Sequence, residues 1–191
     1  PEYPELINSF QENGLIDAVR KVALLQLFQA EQPKYVVLIF DHAIGGGANY
    51  YRQKTIDERL EDGQLILLVT FDHEAAAYKL EIRLGSHKVD FRLSALEQIK
   101  AILEFYPLDK IIFNNIVTYP DVSIVAGLIE ELLSSLEIEF DYLVHDYFCL
   151  CPSLNLLDFD GKYCGIPEFN ICDICLPINR FVASHETKDI R

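Results

Sequence analysis

The residues best suited to chemistry in this 191-residue sequence are its five cysteines, which all lie between Cys149 and Cys175. Cys172 and Cys175 are separated by two residues, and Cys151 lies thirteen residues before Cys164, which lies eight residues before Cys172. Four thiolates around tetrahedral Zn²⁺ form a closed, structural metal site. We therefore predict a structural zinc bound by Cys151, Cys164, Cys172 and Cys175, with Cys149 outside the set.

Two alternatives for these cysteines stay open. The Cys-x-x-Cys pair could be a redox motif, which normally opens a helix after a strand, or the thiols could be reduced and without a ligand. A segment so poor in predicted secondary structure favours a metal, because each residue that is fixed costs on the order of 1–2 kcal/mol. A disulfide framework is not expected, since it is typical of secreted chains and would be spread along the sequence.

A histidine at the end of a strand is the second candidate for chemistry. His145 directly follows a predicted strand over residues 140–144, where it can act as an acid, a base or a hydrogen-bond donor to a reacting hydroxyl. Asp146 must point the opposite way if the strand continues, so it can serve the loop instead of the histidine. His42 ends the first predicted strand and is the weaker second candidate.

Three consecutive glycines, Gly45, Gly46 and Gly47, link the first predicted strand to the first predicted helix. Glycines there let the backbone approach a ligand closely, and a helix N-terminus offers free N–H groups to an anion. The spacing is neither the dinucleotide fingerprint nor a P-loop. Together with His42 and Asp146, these glycines make up the predicted substrate-binding set; a flexible turn without a ligand is the alternative.

Strands and helices alternate along the part of the chain that must position these residues. Buried strands are predicted at 35–40, 64–71, 110–114 and 140–144, a hairpin or edge pair at 78–84 and 88–93, and helices at 48–60, 94–105 and from 121 or 123 to 136. Ser94 is the expected N-cap of the second helix, with Glu97 completing a capping box. This order predicts an α/β fold, a Rossmann-like three-layer sandwich with a mainly parallel sheet.

Two further segments flank this fold. Residues 1–33 read as an N-terminal helical lead-in, and residues 34–191 as the Rossmann-like domain, which includes a Cys-rich C-terminal loop region over 149–175. Because ligands bind beyond the carboxyl ends of parallel strands, the site is expected where segments 41–47, 114–120 and the chain from His145 onwards meet.

Charge and composition exclude several classes of protein. A formal net charge of −14 disfavours binding to nucleic acid or docking on an anionic membrane by charge alone. No apolar run reaches the ~18 residues of a membrane-spanning helix, and the first residues do not form a signal peptide. We expect a cytoplasmic domain, and, because the chain does not begin with Met, a piece of a longer protein.

Two groups of residues resemble a known family. The first is Asp41-His42-x-x-Gly45-Gly46-Gly47 followed by Asn49-Tyr50-Tyr51; the second is His145-Asp146-Tyr147-Phe148, Cys151-Pro152-Ser153-x-Asn155-Leu156-Leu157-Asp158 and Gly161-x-Tyr163-Cys164. Both resemble the amino-terminal domain of family-4-like GT-B glycosyltransferases, and the second is similar to enzymes of bacterial O-antigen and surface polysaccharide assembly. The resemblance covers residues 34–180, and the block from His145 to Cys175 is its most specific part.

The resemblance implies the acceptor-side half of a retaining glycosyltransferase. The partners would be a nucleotide sugar and a polysaccharide or lipid-linked acceptor, with peripheral contact at the inner membrane. The glycine loop would approach the donor diphosphate and the acceptor, and His145 would contact the transferred sugar as the catalytic residue. In such enzymes no protein nucleophile is established, the donor phosphate is thought to help deprotonate the acceptor, and no catalytic metal is expected.

The family's carboxy-terminal domain, with its Glu-containing nucleotide-sugar site, does not follow in this sequence, so the isolated chain is expected to be inactive. Two functions from other classes stay open. A Rossmann oxidoreductase acting on sugar nucleotides needs an acidic residue at the end of the second strand, which Asp72 could supply, but the glycine spacing does not fit. A non-catalytic, zinc-stabilised interaction domain would bind zinc but no sugar.

Overall fold

A computed structural model describes residues 33–104, 106–135, 137–148, 150–153 and 155–182. The helical lead-in predicted for residues 1–33 lies, apart from Pro33, outside these ranges, as does Cys149. The strands are β1 (Val36–Phe40), β2 (Leu65–Asp72), β3 (Ala77–Leu84), β4 (His87–Leu93), β5 (Lys110–Phe113) and β6 (Glu139–Tyr142). The helices are α1 (Gly47–Glu61), α2 (Lys100–Leu103), α3 (Val122–Ser135) and α4 (Phe169–Cys175), with 3₁₀ turns at Leu96–Ile99 and Leu176–Ile178.

The strands form one sheet in the order β4-β3-β2-β1-β5-β6. β1 is parallel to β2 and to β5, and β5 is parallel to β6, whereas β3 pairs antiparallel with both β2 and β4. The α/β fold with a mainly parallel sheet is therefore confirmed, and the order of the parallel strands is consistent with a Rossmann-like type. The predicted hairpin forms the end of the sheet beyond β2.

β1 is the centre of the parallel part, and every one of its five residues is buried. Its side chains alternate between two clusters, because successive residues of a strand point to opposite faces of a sheet. Val36, Leu38 and Phe40 belong to the larger cluster, and Val37 and Ile39 to the smaller one. A continuous apolar run is thus explained by burial on both faces, as the sequence predicts.

Helices pack against both clusters. α1 contributes Ile56 to the smaller cluster. α3 contributes Val125, Leu128, Ile129 and Leu132 to the larger one, at the three- and four-residue spacing that places side chains on one helix face. These contacts fix both helices against the sheet, and with them the loops that precede each helix. Among the residues described, no helix is long and apolar enough to cross a membrane.

Two local predictions are wrong. Ser94 and Glu97 do not form the predicted capping box; the Oε1 atom of Gln98 instead accepts hydrogen bonds from the backbone N–H groups of Ser94 and Ala95, at 2.8 and 3.3 Å. The helix begins here with a 3₁₀ turn, so the side chain that bonds back to the first N–H groups is that of Gln98, one residue after Glu97. The strand predicted at 140–144 is β6, which lies at the sheet edge with one strand neighbour and is largely exposed, not a buried core strand.

The segment after β6 also contains more regular structure than the predicted loop. Leu157 and Tyr163 form an isolated antiparallel bridge, and α4 carries both Cys172 and Cys175. α4 was missed because its seven residues are too few to show helical periodicity and none of them is buried.

Candidate functional site

The loop from β1 to α1 lies at the carboxyl end of the central strand and is open to solvent. Gly45, Gly46 and Gly47 are all exposed, and a Cβ atom added to any of them would meet no atom within 4 Å. Gly46 is the N-cap of α1 with φ 117° and ψ −168°, a conformation that is essentially restricted to glycine. Within the described part of the chain no side chain caps α1, which leaves the first N–H groups of the helix for a ligand.

A buried ion pair holds the base of this loop. Nη1 of Arg52, on α1, lies 2.8 Å from Oδ2 of Asp41, and the two side chains are 11% and 0% exposed. Arg52 also donates to the carbonyl of His42 at 2.9 Å, while Oδ1 of Asp41 accepts from the backbone N–H of His42 at 2.8 Å. Arg52 is not among the residues predicted from the sequence. The signal for it is that Asp41 directly follows a buried strand, because a buried carboxylate needs a cation.

The loop is joined to the ends of β5 and β6 through one asparagine. Asn114, which directly follows β5 and is 2% exposed, donates from Nδ2 to the carbonyl of Ala48 on α1 at 3.3 Å. Its Oδ1 lies 2.8 Å from Nε2 of His145, beyond β6. The ring of Tyr51, also on α1, meets the His145 ring edge-on with centroids 5.8 Å apart. The structure therefore brings His145 and the glycine loop to the same edge of the sheet.

These contacts identify the tautomer of His145. A carbonyl can only accept, so the bond to Ala48 requires that Nδ2 of Asn114 faces α1 and that Oδ1 faces the histidine. Nε2 of His145 must then be the donor. In the neutral ring Nδ1 carries the lone pair, and the exposed side chain can accept a proton or a hydrogen bond from a bound hydroxyl.

Asp146 serves its own loop, as the sequence suggests. Its Oδ2 accepts from Nδ2 of Asn115 at 2.8 Å, and its Oδ1 accepts from the backbone N–H of Phe148, also at 2.8 Å. Oδ1 of Asn115 in turn accepts from the N–H of Val117 at 2.9 Å. Asn114 and Asn115 thus hold His145 and Asp146, respectively, beyond β6. Neither asparagine is predicted from the sequence as a site residue.

His42 lies deeper than the other predicted binding residues. It is 6% exposed, and its Nδ1 atom is buried with no hydrogen-bond partner in the described part of the chain. A buried imidazole nitrogen without a partner loses the hydrogen bond it would make to water. His42 is therefore a less accessible ligand contact than His145.

Tyr119 shares a hydrogen-bond acceptor with the backbone of Asp41, the acidic member of the ion pair. Its hydroxyl donates to the carbonyl of Val69 at 2.7 Å, and the same carbonyl accepts from the backbone N–H of Asp41 at 3.0 Å. Burial, followed by the nearby charge of Asp41, raises the pKa of Tyr119 well above its ordinary value. Tyr119 is therefore a neutral donor at all physiological pH values.

The four cysteines predicted as metal ligands line a single cavity of about 330 Å³. Cys151, Cys164, Cys172 and Cys175 are all of intermediate burial, and none of them forms a disulfide within the described part of the chain. Cys151, Cys164 and Cys172 also border an adjoining cavity of about 360 Å³. Across the described residues, no group of three or more His, Cys, Asp or Glu side chains is already placed to hold a metal ion.

The arrangement at the sheet edge combines a helix N-terminus, suited to an anion, with a histidine lone pair, suited to a hydroxyl. Because the charge of Arg52 is matched by Asp41, anion binding at the loop would depend on backbone N–H groups. Comparisons with models of protein families, with curated proteins and with solved structures found no match to this chain.

Proposed function

We propose that this chain is the acceptor-side, amino-terminal half of a retaining glycosyltransferase. It would act on a nucleotide-sugar donor and a polysaccharide or lipid-linked acceptor, in the cytoplasm and at the periphery of the inner membrane. A second α/β domain would supply the nucleotide-sugar site. The two apolar clusters on opposite faces of β1, each with a helix, support the three-layer sandwich that such a half-domain requires.

One observation carries the proposal: His145 and the glycine loop meet at the carboxyl edge of the sheet through Asn114. That edge is where α/β sheets bind their ligands. The glycine loop and His145 are among the residues on which the resemblance to GT-B enzymes rests, although β1 and β6 lie far apart in the sequence.

The proposed roles follow from the chemistry of each group. N–H groups at the start of α1 and in the loop Gly45–Gly47 would stabilise the donor diphosphate. His145 would contact the transferred sugar, with its Nδ1 atom accepting a hydrogen bond from a hydroxyl. His42 and Asp146 would support the binding site from beneath and beside it. The donor phosphate would help to deprotonate the acceptor, so no catalytic metal is invoked.

The oxidoreductase alternative is weakened by Asp72. In a dinucleotide-binding fold the acidic residue at the end of the second strand contacts a ribose. Here Oδ1 of Asp72 accepts from the N–H groups of Glu74 and Ala75, at 3.0 and 3.1 Å, within the turn to β3. The carboxylate is therefore engaged in a turn. A non-catalytic interaction domain remains the second alternative, favoured by the exposed apolar side chains around the cysteines.

The test is an assay of sugar transfer by the protein expressed from its natural reading frame. A panel of nucleotide sugars is offered with a polyprenyl-diphosphate oligosaccharide acceptor, and radiolabelled product is measured. His145→Ala should lower kcat by about tenfold, which corresponds to the loss of one hydrogen bond of about 1.4 kcal/mol to the transferred sugar. Saturable NADH binding without any transfer would instead support the oxidoreductase.

His87→Ala is the matched control. His87 begins β4 and pairs with Leu84, at the end of the hairpin that lies beside the start of β2, away from the proposed site. Its replacement should leave kcat within about twofold, because His87 is of intermediate burial at the opposite end of β2 from the proposed site and contacts none of its residues in the described hydrogen bonds. An equal loss in both variants would argue against a catalytic role for His145.

A further inference from the structure

The four cysteines come together from three separate parts of the chain. Cys151 follows the turn after β6, Cys164 follows the bridge between Leu157 and Tyr163, and Cys172 and Cys175 lie on α4. Residues three apart on a helix share a face, so α4 presents two thiols to one side. All four side chains border the same cavity of about 330 Å³. Spacing alone did not require this convergence.

Apolar burial does not hold this segment together. Among its described residues, 150–153 and 155–182, only Ser153, Leu156 and Asn179 are buried. Large apolar side chains are exposed instead, among them Phe169 at 69% and Ile174 at 68%. Because a single buried leucine cannot offset the conformational entropy that some thirty residues lose on ordering, the hydrophobic effect is too small to order this segment. Another source of binding energy is needed.

Hydrogen bonds around the cysteines already suit thiolate ligands. Asn179, which is 5% exposed, donates from Nδ2 to Sγ of Cys175 at 3.4 Å and to the carbonyl of Leu157 at 2.7 Å. A donor aimed at sulfur orients the side chain, as the hydrogen-bonding partners of metal ligands do. Gly165, with φ +68°, turns the backbone directly after Cys164. The surroundings of two of the four thiols are therefore organised.

We propose that Cys151, Cys164, Cys172 and Cys175 bind one zinc ion in a structural, tetrahedral site, and that the ion draws the thiols together. Each thiol loses its proton, so one Zn²⁺ and four thiols give a tetrathiolate complex of charge −2 and four protons. In the described residues the four thiols line the cavity without forming a group that could hold a metal. Zinc binding, with Zn–S bonds of about 2.3 Å, would therefore require the thiols to move closer together. This inference does not depend on the glycosyltransferase proposal.

The redox alternative fits the structure poorly. In redox motifs the reactive cysteine lies at a helix N-terminus, where the pKa of the thiol is lowered. Cys172 is the fourth residue of α4, and Cys175 is the last. Neither occupies the activating position, so the pair is better placed to supply ligands than to exchange disulfides.

The first experiment measures metal in the full chain purified without chelator from zinc-supplemented culture. Elemental analysis should give about one zinc per chain, as expected for a closed structural site. Replacement by Co²⁺ should produce thiolate-to-cobalt charge-transfer bands and the visible absorption of a tetrahedral complex. Titration with a thiol-specific mercurial should release zinc in step with four thiols. Zinc near zero with all thiols titratable, iron with acid-labile sulfide, or a disulfide seen by mass would each overturn the proposal.

The second experiment uses single substitutions with a matched control. Cys172→Ser and Cys175→Ser should lower zinc content at least about tenfold after dialysis against a weak chelator, because three thiolates hold zinc less tightly than four. Cys149→Ser, which changes the cysteine outside the predicted set, should keep the full complement. Far-UV circular dichroism shows whether the α/β domain remains folded in each variant. If a variant fails to fold, the cobalt spectrum of the wild-type chain alone tests whether a tetrahedral thiolate site exists.

Failure of this inference is distinguishable from failure of the proposed function. Zinc content and the cobalt spectrum are read without substrate, whereas transfer is read with donor and acceptor. A chain that binds zinc but transfers no sugar would support the zinc site and remove the proposed activity, and the reverse result would do the opposite.

Discussion

Oδ1 of Asn114 accepts a hydrogen bond from Nε2 of His145 at 2.8 Å, while Nδ2 of the same amide donates to the carbonyl of Ala48. One side chain therefore connects the ends of β5 and β6 to the helix that follows the glycine loop. Because 31 residues separate the partners, the contact exists only when the sheet is assembled.

The tautomer of His145 is the first prediction. Asn114 requires a donor at Nε2, so the neutral ring should carry its proton there and leave Nδ1 unprotonated. Nitrogen NMR of the labelled chain in the neutral state of the ring distinguishes the two nitrogens. Asn114→Ala should yield a mixture of tautomers, whereas Asn170→Ala, on exposed α4, should not. A pure Nδ1–H tautomer in the wild-type chain would contradict the assignment.

The ion pair of Asp41 and Arg52 gives the second prediction. Asp41→Asn leaves the Arg52 charge nearly buried and without its partner, which should cost about 3–5 kcal/mol of the free energy of unfolding. Urea unfolding followed by circular dichroism measures it. Lys54→Met, which breaks the exposed pair with Glu58 on the same helix, should cost at most about 0.5 kcal/mol. Similar losses in both variants would mean that Asp41 is not a structural partner.

The glycine loop gives the third prediction. Its glycines differ in backbone conformation, but each has room for a Cβ atom. Gly46→Ala should destabilise the domain by about 1–3 kcal/mol, since φ 117° with ψ −168° strains any side chain. Gly45→Ala has neither a positive φ nor a neighbour within 4 Å, so stability should change by less than about 0.5 kcal/mol. If the loop approaches a diphosphate, Gly45→Ala should nevertheless weaken donor use in the transfer assay. Unaltered sugar transfer by Gly45→Ala would contradict a contact between the loop and the donor.

Acid stability gives the fourth prediction through Glu81. Burial alone would raise the pKa of Glu81, but its hydrogen bond to Lys88 and the charge of Arg83 outweigh this and hold the pKa below the ordinary 4.5. A carboxylate with a lowered folded-state pKa stabilises above its unfolded pKa, and that stability is lost as the pH falls through the folded value. The free energy of unfolding should therefore decline below about pH 4.5 less steeply in Glu81→Gln than in the wild-type chain.

Glu130→Gln, at an exposed position of α3, is the control for this measurement. Its acid profile should run parallel to that of the wild-type chain. Identical slopes in Glu81→Gln and the wild-type chain would mean that Glu81 does not contribute to acid unfolding.

The turn between His145 and Cys151 gives the fifth prediction. Asp146→Ala removes the acceptor of two hydrogen bonds, from Asn115 and from the N–H of Phe148, and should cost about 1–3 kcal/mol locally. Amide hydrogen exchange at Phe148 should become faster. The control is Asp160→Ala, whose exposed carboxylate lies 3.9 Å from Lys162.

This turn also lies between the two proposed sites. The N–H of Cys151, a proposed zinc ligand, donates to the carbonyl of Tyr147 at 2.9 Å, next to Asp146 and Phe148. If zinc binds as proposed, its removal with a chelator should also speed exchange at Phe148. Unchanged exchange would show that the turn is ordered by Asp146 alone.

Much of the fold could be predicted because the relevant signals are local. β1 is an uninterrupted apolar run, and a strand buried on both faces needs nothing else. The glycines before α1 and the apolar spacing along α3 are likewise written in neighbouring residues. Where local signals were weak, as in the seven residues of α4, prediction failed.

The strands, the helices α1 and α3, and the residue types that end each strand can be predicted from the amino-acid order alone. Three features emerge only in the folded chain: β6 is an exposed edge, Arg52 pairs with Asp41, and Asn114 holds His145. Hydrophobic periodicity acts over a few residues, whereas side-chain pairing across a sheet depends on strand order and register. The cysteines illustrate the local and the long-range contribution. Their spacing along the chain suggests a metal, and the fold places all four on one cavity.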